Sequence, residues 1–205
     1  MRRPSALLAL VVLNLACSTV QAQITVGIPS AKMNFVSAAQ ENTNWCWAAS
    51  IQMLFNYNGV NVNQQQVVAK TYGLDKFGRP LNRPGGPEMA RRLNEWSIDN
   101  SGRPFAVESG YSNGAVPPTV LVGELSRLRP ILLIYKTGPS SSHMVVVTGV
   151  TFWNTRTGPI INSIIVRDPS PTPTNVQNSG RVTYRAADLG RNMLGYFVAR
   201  VSTRP

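Results

Sequence analysis

The sequence predicts an α+β domain in which a helical first half packs on an antiparallel sheet. Three observations carry this prediction. Up to residue 128, apolar residues recur at helical spacing behind N-cap and proline start signals. From residue 130 the pattern changes to short apolar runs separated by turns, which implies strands paired antiparallel. No repeat, charge block or interdomain linker divides the 205 residues, a length that suits one domain with a substantial core.

Residues 1–22 stand apart as an expected signal peptide. Arg2 and Arg3 form a basic start, an apolar stretch runs from Ala6 to Ala16, and Val20-Gln21-Ala22 offers a small-residue cleavage site. The apolar stretch is too short for a bilayer span. The expected domain is therefore 23–205, exported to the bacterial periplasm or secreted into the medium. Cys17 would leave with the leader, and Asn14-Leu15-Ala16 before it is a poor lipidation signal.

Residues 23–39 read as an extended lead-in. Residues 45–57 form the organising helix. Only Ser50, Gln52 and Asn56 are polar there, so the helix is expected to be buried all round. Asn42, Thr43 and Asn44 are candidate N-caps, and Asn58-Gly59 is the expected stop. A second helix is expected over 61–71, capped by Asn63 with Val67 and Val68 inward. A Gly/Pro/Asn/Arg-rich surface loop follows over 72–86. Pro87 opens a third, amphipathic helix over 87–97 with Met89, Leu93 and Trp96 on one face. Residues 100–112 are turn-rich with one strand at 105–108. Pro117 and Pro118 start a short helix running to Leu128. Strands are expected at 130–136, 142–153, 160–167, 181–184 and 195–201, with a turn at 155–159 and a proline-rich loop at 169–173.

The chemistry is constrained by scarcity. Without Cys17 one cysteine remains, Cys46, and the chain has one histidine, His143. An exported protein normally pairs its cysteines, so a single unpaired thiol is a candidate reactive group. Cys46 falls in the first turn of the central helix, where the helix dipole and free backbone N–H groups favour a thiolate. Its ordinary alternative is that of a small apolar residue in a core helix. The formal charge is +11, but the basic residues are scattered and do not alternate with aromatics as in a single-strand nucleic-acid groove. A basic surface of this kind fits an anionic partner such as a cell envelope. Phosphate loops, zinc spacings and paired carboxylates are absent, so neither cofactor nor metal is expected.

Cysteine acyl chemistry needs a thiolate, a base, a group that orients the base, and donors for the oxyanion. Cys46 supplies the first and His143, at the start of an expected strand, the second. Asp168, at the end of I-I-V-R-D-P, can fix the imidazole tautomer. Asn154 and Asn162 are rival orienters. The Gln40 amide and the Cys46 backbone N–H are candidate oxyanion donors.

The segment Q-x-x-x-N-W-C-W-A, with Gln40 six residues before Cys46, resembles the papain-like cysteine peptidases. In that family a glutamine and the cysteine backbone form the oxyanion hole, and an aromatic follows the cysteine, here Trp47. Gly85 and Gly86, leading into P-E-M-A-R-R-L, resemble the family's Gly-Gly stretch that pairs with substrate backbone. His143 opens a strand as the family's histidine does. Asp168 before Pro169 is similar to the orienting residue of compact bacterial members, which include bacteriocin-leader peptidases and secreted effector proteases. Larger members have a longer Cys–His spacing, disulfides and an inhibitory pro-segment, all absent from this sequence. The resemblance implies a papain-like fold with the cleft between helical and sheet halves. It also implies a monomeric peptidase acting on a protein or peptide through Cys46, His143, Asp168 and Gln40, with Gly85, Gly86 and Trp47 against the substrate. The same thioester chemistry serves an amidase, acyltransferase or transglutaminase, and a non-catalytic envelope-binding protein is the further alternative.

Overall fold

A computed structural model describes residues 22–73, 75–77 and 85–203. The expected signal peptide, except Ala22, lies outside the described residues, as do residues 74 and 78–84 of the expected loop.

The described residues begin with strand β1 (Ile24–Gly27) and helix α1 (Ser30–Val36). Both replace the expected irregular lead-in. α1 buries Met33 alone and has no side-chain cap, so it carries almost no periodic signal. Three helices follow: α2 (Cys46–Tyr57), α3 (Gln64–Tyr72) and α4 (Gly86–Leu93). α3 starts as expected at Asn63, whose side chain accepts from Gln66 N–H while the Gln66 side chain accepts from the Asn63 N–H. α4 ends four residues earlier than expected, although Trp96 stays buried beyond it. Strand β2 (Phe105–Asn113) is longer than expected and is followed by α5 (Pro118–Ser126), β3 (Ile131–Lys136), β4 (Ser142–Thr155) and β5 (Gly158–Arg167). The chain closes with α6 (Pro173–Gln177), β6 (Arg181–Arg185), α7 (Ala186–Gly190) and β7 (Met193–Thr203). α6 and α7 were not expected; each is five residues, too short for helical spacing to register.

All strands join one seven-stranded antiparallel sheet of order β2-β7-β3-β4-β5-β6, with β1 pairing on β4. Side chains alternate between its faces. Leu132, Met144, Val146 and Phe197 meet α2, α3 and α4 on one face; Ile131, Leu133, Val145 and Val147 pack with Leu121, Leu125 and Leu189 on the other. The fold is α+β as the sequence implied, but helices cover both faces and β1 precedes them. Among the described residues, no helix is long and apolar enough to cross a membrane.

α2 is seated by a gap in the sheet. β5 pairs with β4 only from Val146 onward, which leaves the edge of β4 at Met144 without a strand. Ser50, fully buried on α2, donates to the Met144 carbonyl at 3.1 Å. Ser50→Ala would strand that carbonyl in the core. It should lower stability by about 1–3 kcal/mol, read as a lower urea midpoint at unchanged slope; an unchanged midpoint would mean the carbonyl finds another partner.

Candidate active site

Cys46 is the first residue of α2 and half-buried. The helix is preceded by Asn44, held at φ 68°, a left-handed conformation that Asn tolerates better than most residues. The expected caps are not used: the N-cap position is Trp45, with no side-chain cap bond. The first-turn N–H groups are therefore left for other acceptors, and that of Trp47 points to the Cys46 sulfur. The Met144 N–H reaches the same sulfur from β4.

His143 is the second residue of β4. Its Nε2 lies 2.7 Å from Asp168 Oδ1, and its side chain also neighbours Cys46, with Nδ1 the ring nitrogen free for the sulfur. Asp168 follows β5 directly. Its Oδ1 also accepts from Ser170 N–H at 2.8 Å, and its own N–H donates to the Gly180 carbonyl at 2.7 Å. Gly180 has φ 71°, and a Cβ there would stand 2.6 Å from the Asp168 carbonyl oxygen, so only glycine allows this approach. The rival orienters are elsewhere: Asn154 faces Pro159 near the β4–β5 turn, and Asn162 sits on β5 with its amide 3.5 Å from Thr151 Oγ1.

These contacts set the charges. Burial raises the Cys46 thiol, but the His143 hydrogen bond and charge and the two backbone N–H groups outweigh it, and the net shift is below the ordinary 9.0. Burial disfavours a charged His143, yet Asp168 and Cys46 lift it from 6.5 to about 9. Burial also works against the Asp168 carboxylate, and His143 and the Ser170 N–H pull it below the ordinary 3.8. The three shifts all favour the same charged arrangement, thiolate, imidazolium and carboxylate in a row.

The cleft beside Cys46 has a volume of about 270 Å³ and is lined by Asn44, Cys46, Trp47, Met89, Ile134, Ser141, Ser142, His143 and Met144. Trp47, buried and edge-on to Tyr72, and Met89 give it an apolar floor. Met89, Ile134 and Ser141 escaped the sequence reading as site residues, because nothing local marks a residue as facing a cleft. Gln40 is not among the lining residues. Its backbone N–H donates to the Pro169 carbonyl at 2.7 Å, and its side-chain amide donates to the Asn42 carbonyl at 3.1 Å. Gly85 caps α4 and lines a separate groove with Tyr72, Glu88 and Arg92. Gly86 has a packing reason of its own: a Cβ would lie 2.3 Å from the Tyr111 ring.

A cysteine heading a buried helix, set against a His–Asp couple carried by a sheet, is the arrangement of a papain-like cysteine peptidase. A family model described as papain-like cysteine protease AvrRpt2 matches residues 29–181, and the chain belongs to that family. It is thus a cysteine peptidase. Two solved structures are similar. One is a double glycine motif protease from an AMS/PCAT transporter in complex with the leader peptide; it is 14% identical, covers 80% of this chain and 89% of that one, and has a TM-score of 0.48. The other is the peptidase domain of Streptococcus ComA, a bifunctional ABC transporter involved in a quorum-sensing pathway; it is 15% identical, covers 82% and 97%, and has a TM-score of 0.48. No curated protein matches the chain.

The raised His143 and lowered Cys46 act oppositely on stability. The His143 contribution is complete below its unfolded value of 6.5 and is lost as pH rises through about 9. The Cys46 contribution is complete above its unfolded value of 9.0 and is lost as pH falls through its folded value. The two slopes oppose one another below pH 9, so wild-type thermal stability should fall less steeply toward pH 9 than that of a variant without the thiol. Cys46→Ser leaves the His143–Asp168 effect alone and should lose stability as pH rises. A flat Cys46→Ser profile, or a wild type that falls as steeply, would contradict this.

Proposed function

We propose that this chain is an exported peptidase that hydrolyses peptide bonds through Cys46, His143 and Asp168, with Gln40 and the Cys46 N–H as oxyanion donors. The observation that carries the reading is the 2.7 Å His143–Asp168 bond, with Cys46 beside the same imidazole. The Cys46 thiolate attacks the scissile carbonyl, forming an S–C bond and an oxyanion. The tetrahedral species collapses, the C–N bond breaks, and His143 Nδ1 gives its proton to the leaving amine. His143, now neutral, takes a proton from water as the water attacks the thioester. The thiolate leaves and the acid product departs. Asp168 holds the imidazole in place and stabilises its charge throughout.

Gln40 joins this scheme by a side-chain rotation that exchanges the Asn42 carbonyl for the oxyanion, while its backbone stays anchored on Pro169. The cleft selects for an extended peptide with an apolar side chain beside the scissile bond, since among the described residues its lining offers Trp47, Met89, Ile134 and Met144 and no charged group but the reacting ones. Export rests on the leader-like character of residues 1–22.

A proteome-derived peptide mixture read by mass spectrometry tests the reaction. Cleavage should yield products that together gain one water; gain of an amine would signal transfer instead. Cys46→Ala and His143→Ala should abolish cleavage, Asp168→Ala should lower kcat by roughly 10⁴-fold, and Gln40→Ala should cost about 10²-fold in kcat with little change in KM. Activity that survives both Cys46→Ala and His143→Ala would refute the proposal.

A further inference from the structure

The imidazole has a third neighbour that the reaction scheme leaves without a task. Tyr135 on β3 is the direct cross-strand partner of His143, so both side chains stand on the same face. Their rings meet edge to face, with centroids 5.8 Å apart and planes at 86°. The sheet is irregular at this point: the β3–β7 register slips between Ile134 and Tyr135, so that Tyr135 faces Met193 rather than Leu194. Bulges of this kind re-aim side chains beside active sites. Tyr135 is held in turn by Tyr184 of β6, whose hydroxyl lies 3.3 Å from its own and whose ring is 6.0 Å away. β4 and β5 separate β3 from β6 in the sheet, so the two phenols reach across the face from both sides and meet beside His143.

We infer that Tyr135 is a positioning residue for His143 and that Tyr184 is its anchor. The inference rests on the thiolate–imidazolium reading above. A histidine on a strand end can swing about its first two side-chain torsions. Only one orientation puts Nδ1 on Cys46 and Nε2 on Asp168 together. Asp168 restrains one edge of the ring and Cys46 the other, while the Tyr135 ring blocks the out-of-plane swing that would break both bonds. The titratable groups around His143 are Cys46 from α2, Asp168 from the end of β5, Tyr135 from β3 and, behind Tyr135, Tyr184 from β6; Lys136 next to Tyr135 is exposed. Burial and the Tyr184 hydroxyl, with smaller contributions from the charges of Asp168 and Cys46, raise the Tyr135 phenol above its ordinary value, so it stays a neutral wall at neutral pH. The ring does the positioning, and the hydroxyl only ties the ring down.

His143 is the sole histidine, so ¹⁵N-histidine labelling gives the imidazole signals of one residue in the intact protein. In wild type the ring should titrate at about 9. Tyr135→Leu and Tyr135→Met, which remove the ring and replace it with side chains of similar volume but different shape, should lower that value by about one pH unit or more and broaden the ring signals. Tyr135→Phe and Tyr184→Phe each remove the hydroxyl pair but keep both rings, so both should give the same small fall, well short of that of Tyr135→Leu. If Tyr135→Leu or Tyr135→Met is folded and titrates like wild type, or if Tyr135→Phe falls as far as they do, the positioning role of the ring is overturned. A wild-type titration near 6.5 would instead refute the thiolate–imidazolium pair itself, which separates the two failures.

Discussion

The site depends on how α2 closes the open edge of β4. Because β5 joins β4 only at Val146, the backbone groups of Met144 have no strand to bond, and unpaired polar groups in a core are costly. α2 supplies both partners: Ser50 donates to the carbonyl, and the Cys46 sulfur accepts from the N–H. Cys46 and Ser50 are one helical turn apart, so a single helix face makes both contacts. That docking brings the head of α2 against the residue next to His143. The Cys46 sulfur is thereby part of the packing that holds the two halves of the fold together.

The uncapped start of α2 belongs to the same economy. A Ser, Thr, Asp or Asn cap would stabilise the helix by about 1 kcal/mol, but it would occupy the N–H groups that now face the sulfur. Anions at a helix start gain from the dipole, and a thiolate takes the place that a capping oxygen would otherwise fill. The Asp168 side shows the same logic in a loop. Gly180 permits a backbone approach that no other residue allows, the Ser170 N–H fixes the carboxylate, and the Pro169 carbonyl anchors the backbone of Gln40. The loop that orients the imidazole thus also anchors the backbone of the residue proposed to receive the oxyanion.

Much of this was legible in the sequence wherever burial wrote a long pattern. α2 shows itself as an apolar run with few polar breaks, α3 by the Asn63 cap, and the sheet by its β-branched runs. The scarcity of Cys and His left one pairing to consider, and Cys46, His143 and Asp168 do meet. What stayed hidden is short or non-local. α1 buries one residue, and α6 and α7 are single turns. β1 earns its strand conformation only from β4, far along the chain. The caps expected at Asn42 to Asn44 failed because tertiary demand at Cys46 outweighed local capping preference. Side-chain direction was beyond reach: spacing singled out Gln40 but not its bond to Asn42, and the Gly85-Gly86 pair but not the Tyr111 ring that requires Gly86. Tyr135 and Tyr184 carry no motif, and only the folded sheet joins them.

The central claim is that Cys46 and His143 form an ion pair before substrate arrives. The most direct test is the rate of iodoacetamide alkylation against pH, read on the proteolytic peptide that carries Cys46, for wild type and His143→Ala. The account predicts a wild-type rate that persists well below the free-thiol pKa of about 8.5 and a His143→Ala rate that falls away below it. An ordinary thiol profile that is the same with and without His143 would contradict it.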